Sequence, residues 1–401
     1  HEKEEHSMIA SSSPPASSCH HLFTNVIVLS IYLILWVANG ILLQGMASGS
    51  LAPQNIPYDK PAFLTWFDYN FLILGFAFPI IVHRDRRLLH NHHQSPSWSW
   101  YESVLGQYLK NEWAGRLGLY NAIMSCAGIG FLLNTLNILF IVGLECISAA
   151  LCNAVYQLQV AFTVCLSVMM LGDTFTRSRL VGLIASFCGV LLITIPPLTK
   201  GNEDDNDRWS SCSSESSAVI GVMAILISAA LWGLFQVVWR LLSESRHLGG
   251  SSYSVSRLGI LVDTMTTLGM VGLCNLLFAW PLLCLFHWNG FEVFELPPRS
   301  HLWLLLFNAL AEVAFDTSCA IAIYVTSPVM TSITAPLTIP ISLVAEKVLY
   351  GTSSEAFGGV SGWSGAIIIL LGVVLMETKP KLGLARENAA LLETDMGHVD
   401  R

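Results

Sequence analysis

The chain has 401 residues, 53% of them hydrophobic and 12% charged, with a formal net charge of −8. Soluble domains usually carry about 25% charged residues. Half that share, arranged around apolar runs near 20 residues long, excludes an ordinary soluble domain and reads as a multi-pass membrane protein. The net charge itself says little about nucleic acid, and no nucleic-acid partner is expected.

Ten apolar runs follow one another along the chain, at roughly 22–45, 62–82, 117–140, 146–171, 179–197, 218–242, 260–286, 301–323, 327–349 and 361–377. Each is long enough for a transmembrane helix. The expected fold class is therefore an all-α membrane protein of ten transmembrane helices in two inverted five-helix repeats. Residues 1–21 are polar and Ser-rich and are expected to form a disordered cytosolic N-terminus. Residues 22–197 form the first repeat, 198–217 an acidic lumenal or extracellular loop, 218–377 the second repeat, and 378–401 a cytosolic tail.

The orientation follows from Lys and Arg. With both termini cytosolic, fifteen of the twenty basic residues fall on the cytosolic side, among them Arg84, Arg86, Arg87, Arg177, Arg179, Arg240 and Arg257. Cytosolic loops carry such an excess. The acidic run Glu203-Asp204-Asp205-Asn206-Asp207 then faces a lumen or the exterior.

Eight of the ten cysteines lie in apolar runs, so no disulfide framework is expected. Neither a CxxC nor an HExxH pattern occurs, and His20-His21 and His92-His93 read as solvated loop histidines. Neither a metal nor a cofactor is predicted. No residue spacing suggests a nucleophile with its base, so catalytic residues are expected to be none and the chain is not read as an enzyme.

The chemistry concentrates between Asn308 and Gly351. Two apolar runs meet there at Thr326-Ser327-Pro328. The first carries Glu312 and Asp316, four residues apart on one helix face. Ionisable groups inside a bilayer face a bundle interior or a water-filled cavity and are functional by default. The second carries Thr334, Pro336, Thr338 and Pro340, and prolines there free backbone carbonyls that other protein or cavity water must satisfy. Three roles fit the carboxyl pair: bracing the bundle, binding a cationic substrate, or exchanging a proton as the cavity changes sides. Asn134 and Asn137 share a face of the third run, as do Asn153 and Gln157 of the fourth; buried amides either hold helices together or line a ligand path. The candidate substrate-binding set is Glu312, Asp316, Asn134, Asn137, Asn153, Gln157, Thr334 and Thr338.

Two further patterns repeat. The stretch Ser148–Gly172 has the same length as Ser327–Gly351, with an acidic residue, Glu145 or Asp316, ahead of each. Inverted internal repeats of this kind are a signature of secondary transporters. Gly182 with Ser186, and Ser361 with Gly365, form small-residue faces for close helix approach, within the chain or in a homodimer.

Specific motifs carry a family resemblance. Tyr58-Asp59-Lys60-Pro61-Ala62-Phe63 is similar to a Y-x-K-P-F-F motif after the first span. Gly269-Met270-Val271-Gly272-Leu273-Cys274-Asn275-Leu276-Leu277, then Trp280-Pro281, His287 and Gly290–Pro297, continue the likeness, and Leu337–Ser342 resembles an L-T-I-P-L-S motif. Together they resemble the drug/metabolite transporter superfamily with its EamA-like repeats. Within it they resemble solute carrier family 35 subfamily F, the branch with thiamine-transporter-like and uncharacterised members. The resemblance implies a secondary transporter in a membrane, with a small-molecule substrate and membrane lipid as its partners. Its substrate would be a small organic metabolite, cationic or neutral, with thiamine-like compounds among the options. A nucleotide-sugar transporter and a non-transporting interaction protein are the alternatives. In the tail, Glu387, Leu391 and Leu392 fit the acidic dileucine pattern read by sorting adaptors, which favours an endomembrane (vacuole, lysosome or Golgi) over the plasma membrane.

Overall fold

A computed structural model describes residues 16–47, 51, 60–88, 109, 117–146, 152, 155–173, 177–199, 215–247, 257–299, 301–350 and 360–377. Every regular element among them is helical. In chain order these are α1 (Ala16–Ala47), α2 (Pro61–Asn70), a 3-10 segment (Phe71–Phe76), α3 (Ala77–Leu88), α4 (Leu119–Cys146), α5 (Gln159–Met170), α6 (Arg177–Thr199), α7 (Glu215–His247), α8 (Arg257–Phe278), α9 (Trp280–Trp288), α10 (Leu302–Val325), α11 (Pro328–Thr334), a second 3-10 segment (Ala335–Leu337), α12 (Thr338–Tyr350) and α13 (Val360–Glu377). Glu387, Leu391, Leu392 and the acidic 200–214 stretch lie outside the described residues.

Six described stretches are long and apolar enough to cross a membrane: Thr24–Leu43, Pro61–Val82, Leu119–Leu144, Val219–Ser245, Gly259–Trp288 and Leu302–Val325. They coincide with the first, second, third, sixth, seventh and eighth of the expected spans. α5 is a shorter apolar helix.

Local chemistry sets where these helices start, bend and stop. α1 begins at Ala16, so it takes in residues 16–21, assigned above to the disordered N-terminus, and it carries His20-His21, assigned to a loop. No Pro or Gly separates Ala16 from the apolar run, so a nucleated helix extends back to Pro15, the first residue that would interrupt it. Pro281 splits the seventh span at Ala279, since it has no N–H to donate and crowds the preceding turn. At the α10–α11 corner, Ser327 is extended and its hydroxyl accepts the Met330 N–H at 3.1 Å, with Pro328 in the first helical position. Pro336 marks the tightened 3-10 turn between α11 and α12. Gly172, with φ of +71°, follows the end of α5 in the left-handed conformation that closes helices.

The core gathers around α1, α4, α7, α8 and α10. Tyr32, Ile129, Leu133, Phe235, Trp239, Leu268 and Cys319 are all buried there. Outward faces remain apolar: Ile27, Ile31 and Ile34 of α1, Trp303 and Phe307 of α10, and Ile367, Leu370 and Leu371 of α13 are exposed. Apolar surface on this scale suits contact with lipid.

Two contacts bring backbones together. A Cβ on Gly272 of α8 would sit 2.8 Å from the Leu72 carbonyl carbon, so the Gly-x-x-Gly of the sequence motif is what lets α8 lie against the 3-10 segment. On the other side of the bundle, a Cβ on Gly372 of α13 would meet the Gly182 carbonyl oxygen of α6 at 2.7 Å, and one on Gly189 would meet the Gly365 carbonyl oxygen at 2.7 Å. The small-residue faces of the sixth and thirteenth helices are thus used within the chain.

A strap after α9 clasps the start of α2. Glu292, buried, accepts the Ala62 N–H at 2.7 Å through Oε2 and the Phe63 N–H at 3.0 Å through Oε1. These are first-turn donors that no helical carbonyl can satisfy, and Lys60, at the cap position, makes no side-chain cap. Lys60 instead donates to the Val293 carbonyl at 2.9 Å and lies 3.8 Å from Glu295. His287 Nδ1 accepts the Phe294 N–H at 3.0 Å, fixing the strap from its root.

Candidate substrate cavity

A cavity of about 130 Å³ opens inside the bundle. Its wall comes from the C-terminal half of α1 (Trp36, Asn39, Gly40, Leu43), from Tyr69 of α2, from Leu136, Asn137, Phe140 and Leu144 of α4, and from Tyr156, Trp232, Glu312, Phe315, Thr338 and Ser342. Six of the lining residues are aromatic. Trp232 stacks on Phe315 with centroids 5.7 Å apart and planes at 12°, Trp36 lies 6.0 Å from Trp232, and Phe140 meets Tyr156 edge-on at 4.9 Å. Such edge and offset geometries are the favourable ones, and the rings present electron-rich faces to whatever they surround.

Glu312 is the one carboxylate on the cavity wall among the described residues. It is buried, and it accepts a hydrogen bond from the Asn39 amide of α1 and another from the Tyr69 hydroxyl. Asp316 sits one turn further along α10, 1% exposed, and neither of its oxygens makes a hydrogen bond among the described residues. It is not on the wall: the face shared with Glu312 passes behind the cavity. A third buried carboxylate, Asp68 of α2, accepts the Asn308 amide at 2.7 Å through Oδ2. Asn308, Glu312 and Asp316 are spaced by one turn each, so α10 presents an unbroken polar column to α1 and α2.

The other predicted residues divide between wall and scaffold. Asn137 and Thr338 line the cavity. Asn134 belongs to a chain of amides: it donates to Asn275 Oδ1 at 2.6 Å, and Asn275 in turn donates to Asn70 Oδ1 at 2.8 Å and to the Trp66 carbonyl at 3.1 Å, which joins α4, α8 and α2. Gln157 is buried beside Tyr156 with its Oε1 unpaired. Thr334 donates back to the Thr331 carbonyl at 2.8 Å, and Thr338 to the Ala335 carbonyl at 2.7 Å. Asn153 lies outside the described residues, as does the Glu145 side chain. Asn39, Tyr69, Asp68 and Asn308 were not singled out by sequence reasoning, although Asp68 carries the signal that selected Glu312, an ionisable residue inside an apolar run.

At the end of the bundle away from the strap, α7 holds the α10–α11 corner shut. Arg240 donates to the Tyr324 carbonyl at 2.9 Å and pairs with Glu244 at 2.6 Å. The Gln236 amide, oriented to satisfy both neighbours, donates to the Pro328 carbonyl at 3.0 Å and accepts from the Trp232 indole at 2.7 Å. A wall ring of the cavity is thereby tied to the α10–α11 corner.

Comparison with known proteins agrees with this architecture. The EamA-like transporter family model matches residues 61–195. An uncharacterized vacuolar membrane protein of Saccharomyces cerevisiae is 24% identical over 80% of this chain and 83% of its own length. Solute carrier family 35 member F5 of Bos taurus is 28% identical over 50% of this chain and 34% of its own. Matches to two further fungal transport proteins cover 56% of each of those chains, so the chain spans about half the length of these relatives. A crystal structure superposes with a TM-score of 0.52 at 15% identity, covering 88% of this chain and 96% of the other, and establishes likeness of fold alone. The all-helical bundle, its apolar outer faces and these matches together identify a multi-pass membrane protein that resembles the drug/metabolite transporter superfamily with its EamA-like transporters and, within it, solute carrier family 35 subfamily F.

Proposed function

We propose that the protein is a secondary transporter of a small organic cation, working by alternating access between two inverted five-helix repeats, residues 22–197 and 218–377. The observation that carries this reading is the pairing of one carboxylate, Glu312, with Trp36, Trp232, Phe315 and Tyr156 in the wall of one cavity. Aromatic faces and a carboxylate both attract a positive charge. Among the described residues no Lys or Arg lines the cavity, which disfavours the phosphates of a nucleotide sugar. Asp316, behind the wall, is the group suited to exchange a proton when the cavity changes sides. The vacuolar membrane location named for one relative supports an endomembrane setting.

The test is uptake into proteoliposomes across a panel of organic cations, neutral metabolites and nucleotide sugars. Wild-type protein should exchange a cation, and Glu312→Gln should lower its apparent affinity at least tenfold, which is about 1.4 kcal/mol. Exchange of nucleotide sugars only, no exchange of any panel member, or cation uptake indifferent to Glu312→Gln would each reject the proposal.

A further inference from the structure

Trp232, Gln236 and Arg240 follow one another at four-residue intervals, so they form one stripe along α7. The stripe runs from the cavity wall to the α10–α11 corner. At its inner end the Trp232 ring, 3% exposed, stacks on Phe315 of α10 and donates its indole N–H to Gln236 at 2.7 Å. Gln236, 0% exposed, donates its own amide N–H to the Pro328 carbonyl at 3.0 Å. At the outer end Arg240 Nη1 donates to the Tyr324 carbonyl at 2.9 Å, and its Nε donates to Glu244 Oε1 at 2.6 Å.

In a continuing helix the Tyr324 carbonyl would accept the N–H of residue 328, and Pro328 has none. Arg240 supplies a donor from α7 instead. Thr326 is non-helical, at φ −106° and ψ −95°, and Ser327 is extended, so only these two residues join α10 to α11. Beyond the corner the chain runs through α11 and the second 3-10 segment into Thr338 and Ser342 of the cavity wall. A shift at the corner therefore reaches the wall through α12 as well as through α10.

The two bonds to the corner open differently. The Arg240 side chain is 28% exposed and keeps Glu244 when it leaves Tyr324, so its charge stays paired. Gln236 is fully buried, and a buried amide is costly to leave without partners. Its bond to Pro328 opens when water enters, or when the Trp232 ring moves and draws the amide with it. We propose that Gln236 is a positioning residue that couples the Trp232 ring to the α10–α11 corner, so that displacement of the ring frees the corner. The coupling takes its purpose from the transport reading above, in which a cation seated against Trp232 would loosen the corner.

Hydrogen–deuterium exchange of the purified full chain, without substrate, tests the coupling whatever the cavity carries, because amide exchange reports local opening. Trp232→Phe keeps a ring beside Phe315 and removes the N–H given to Gln236. Gln236→Met keeps the side-chain length and removes both amide bonds. Either variant should speed exchange at residues 326–331 about tenfold. Among these are Met330 and Thr331, whose N–H groups donate to Ser327. The double variant should add little to either single one. The first turn of α2, held by Glu292, should exchange as in the wild type. Should Gln236→Met fail to fold, Trp232→Phe reads the same link. Unchanged corner exchange in Trp232→Phe overturns the proposal, and so do additive effects in the double variant. Faster exchange throughout the chain also overturns it, since Gln236 would then be a packing residue only. If the corner loosens as expected but proteoliposomes take up no cation, the coupling stands and the cation reading falls.

Discussion

Asn39 of α1 donates its side-chain amide to the Glu312 carboxylate of α10, joining residues 273 positions apart at the cavity wall. The bond fixes the carboxylate by a neutral donor and leaves its charge uncompensated toward the cavity. A bundle brace would be expected to use a cationic partner or to turn away from the space; this one faces it. Asp316, a turn further on, is also buried, but it lies off the wall and neither of its oxygens makes a hydrogen bond among the described residues.

That contrast separates the two acidic residues experimentally. Asp316→Asn keeps the shape and removes the charge, so the fold should survive with Tm unchanged or slightly raised, because burying an unpaired carboxylate is costly. Substrate affinity should also hold. What should vanish is the dependence of uptake on an imposed pH gradient, measured in proteoliposomes. An unchanged pH profile would leave Asp316 with no part in coupling.

The strap makes a stability prediction. Glu292→Gln replaces one of two acceptors for the first N–H groups of α2 with an amide donor, and bonds to charged groups are worth about 1.5–3 kcal/mol. Thermal unfolding in detergent should show a loss of that size. Lys60→Ala removes a partly exposed pair with Glu295, for which about 0–1 kcal/mol is expected. A larger effect at Lys60 than at Glu292 would contradict the assignment of Glu292 as the cap.

Membrane orientation is checked by protease accessibility. In sealed right-side-out vesicles a tag after Arg401 should be protected and a tag inserted near Asp205 should be cleaved, as the distribution of Lys and Arg requires. The reverse pattern would invert every loop assignment.

Much of the bundle is legible in the sequence because a bilayer imposes length and polarity together. The corner at Thr326-Ser327-Pro328, the glycines at 269 and 272, and Glu312 all stand out as breaks in apolar runs. The site is less legible, for a physical reason. Asp68 and Asn39 gain their meaning from Asn308 and Glu312, 240 and 273 residues away, and no local pattern announces such pairs. The aromatic wall is hidden differently: Trp232 and Phe315 face the cavity while Trp303 and Phe307 face outward, and apolar rings look alike until their side of the helix is known.

The close approach of α6 and α13 has a mechanical consequence. With Gly182, Gly189, Gly365 and Gly372 in the contact, the two backbones come close, and the side chains between them, Ser186 and Ile369, are packed tightly against the opposite glycines. Neither helix contributes to the cavity wall. On the proposed alternating-access cycle the two are expected to move as one unit, so the separation between a spin label on each should stay constant and serve as an internal ruler for displacements of α1, α7 and α10.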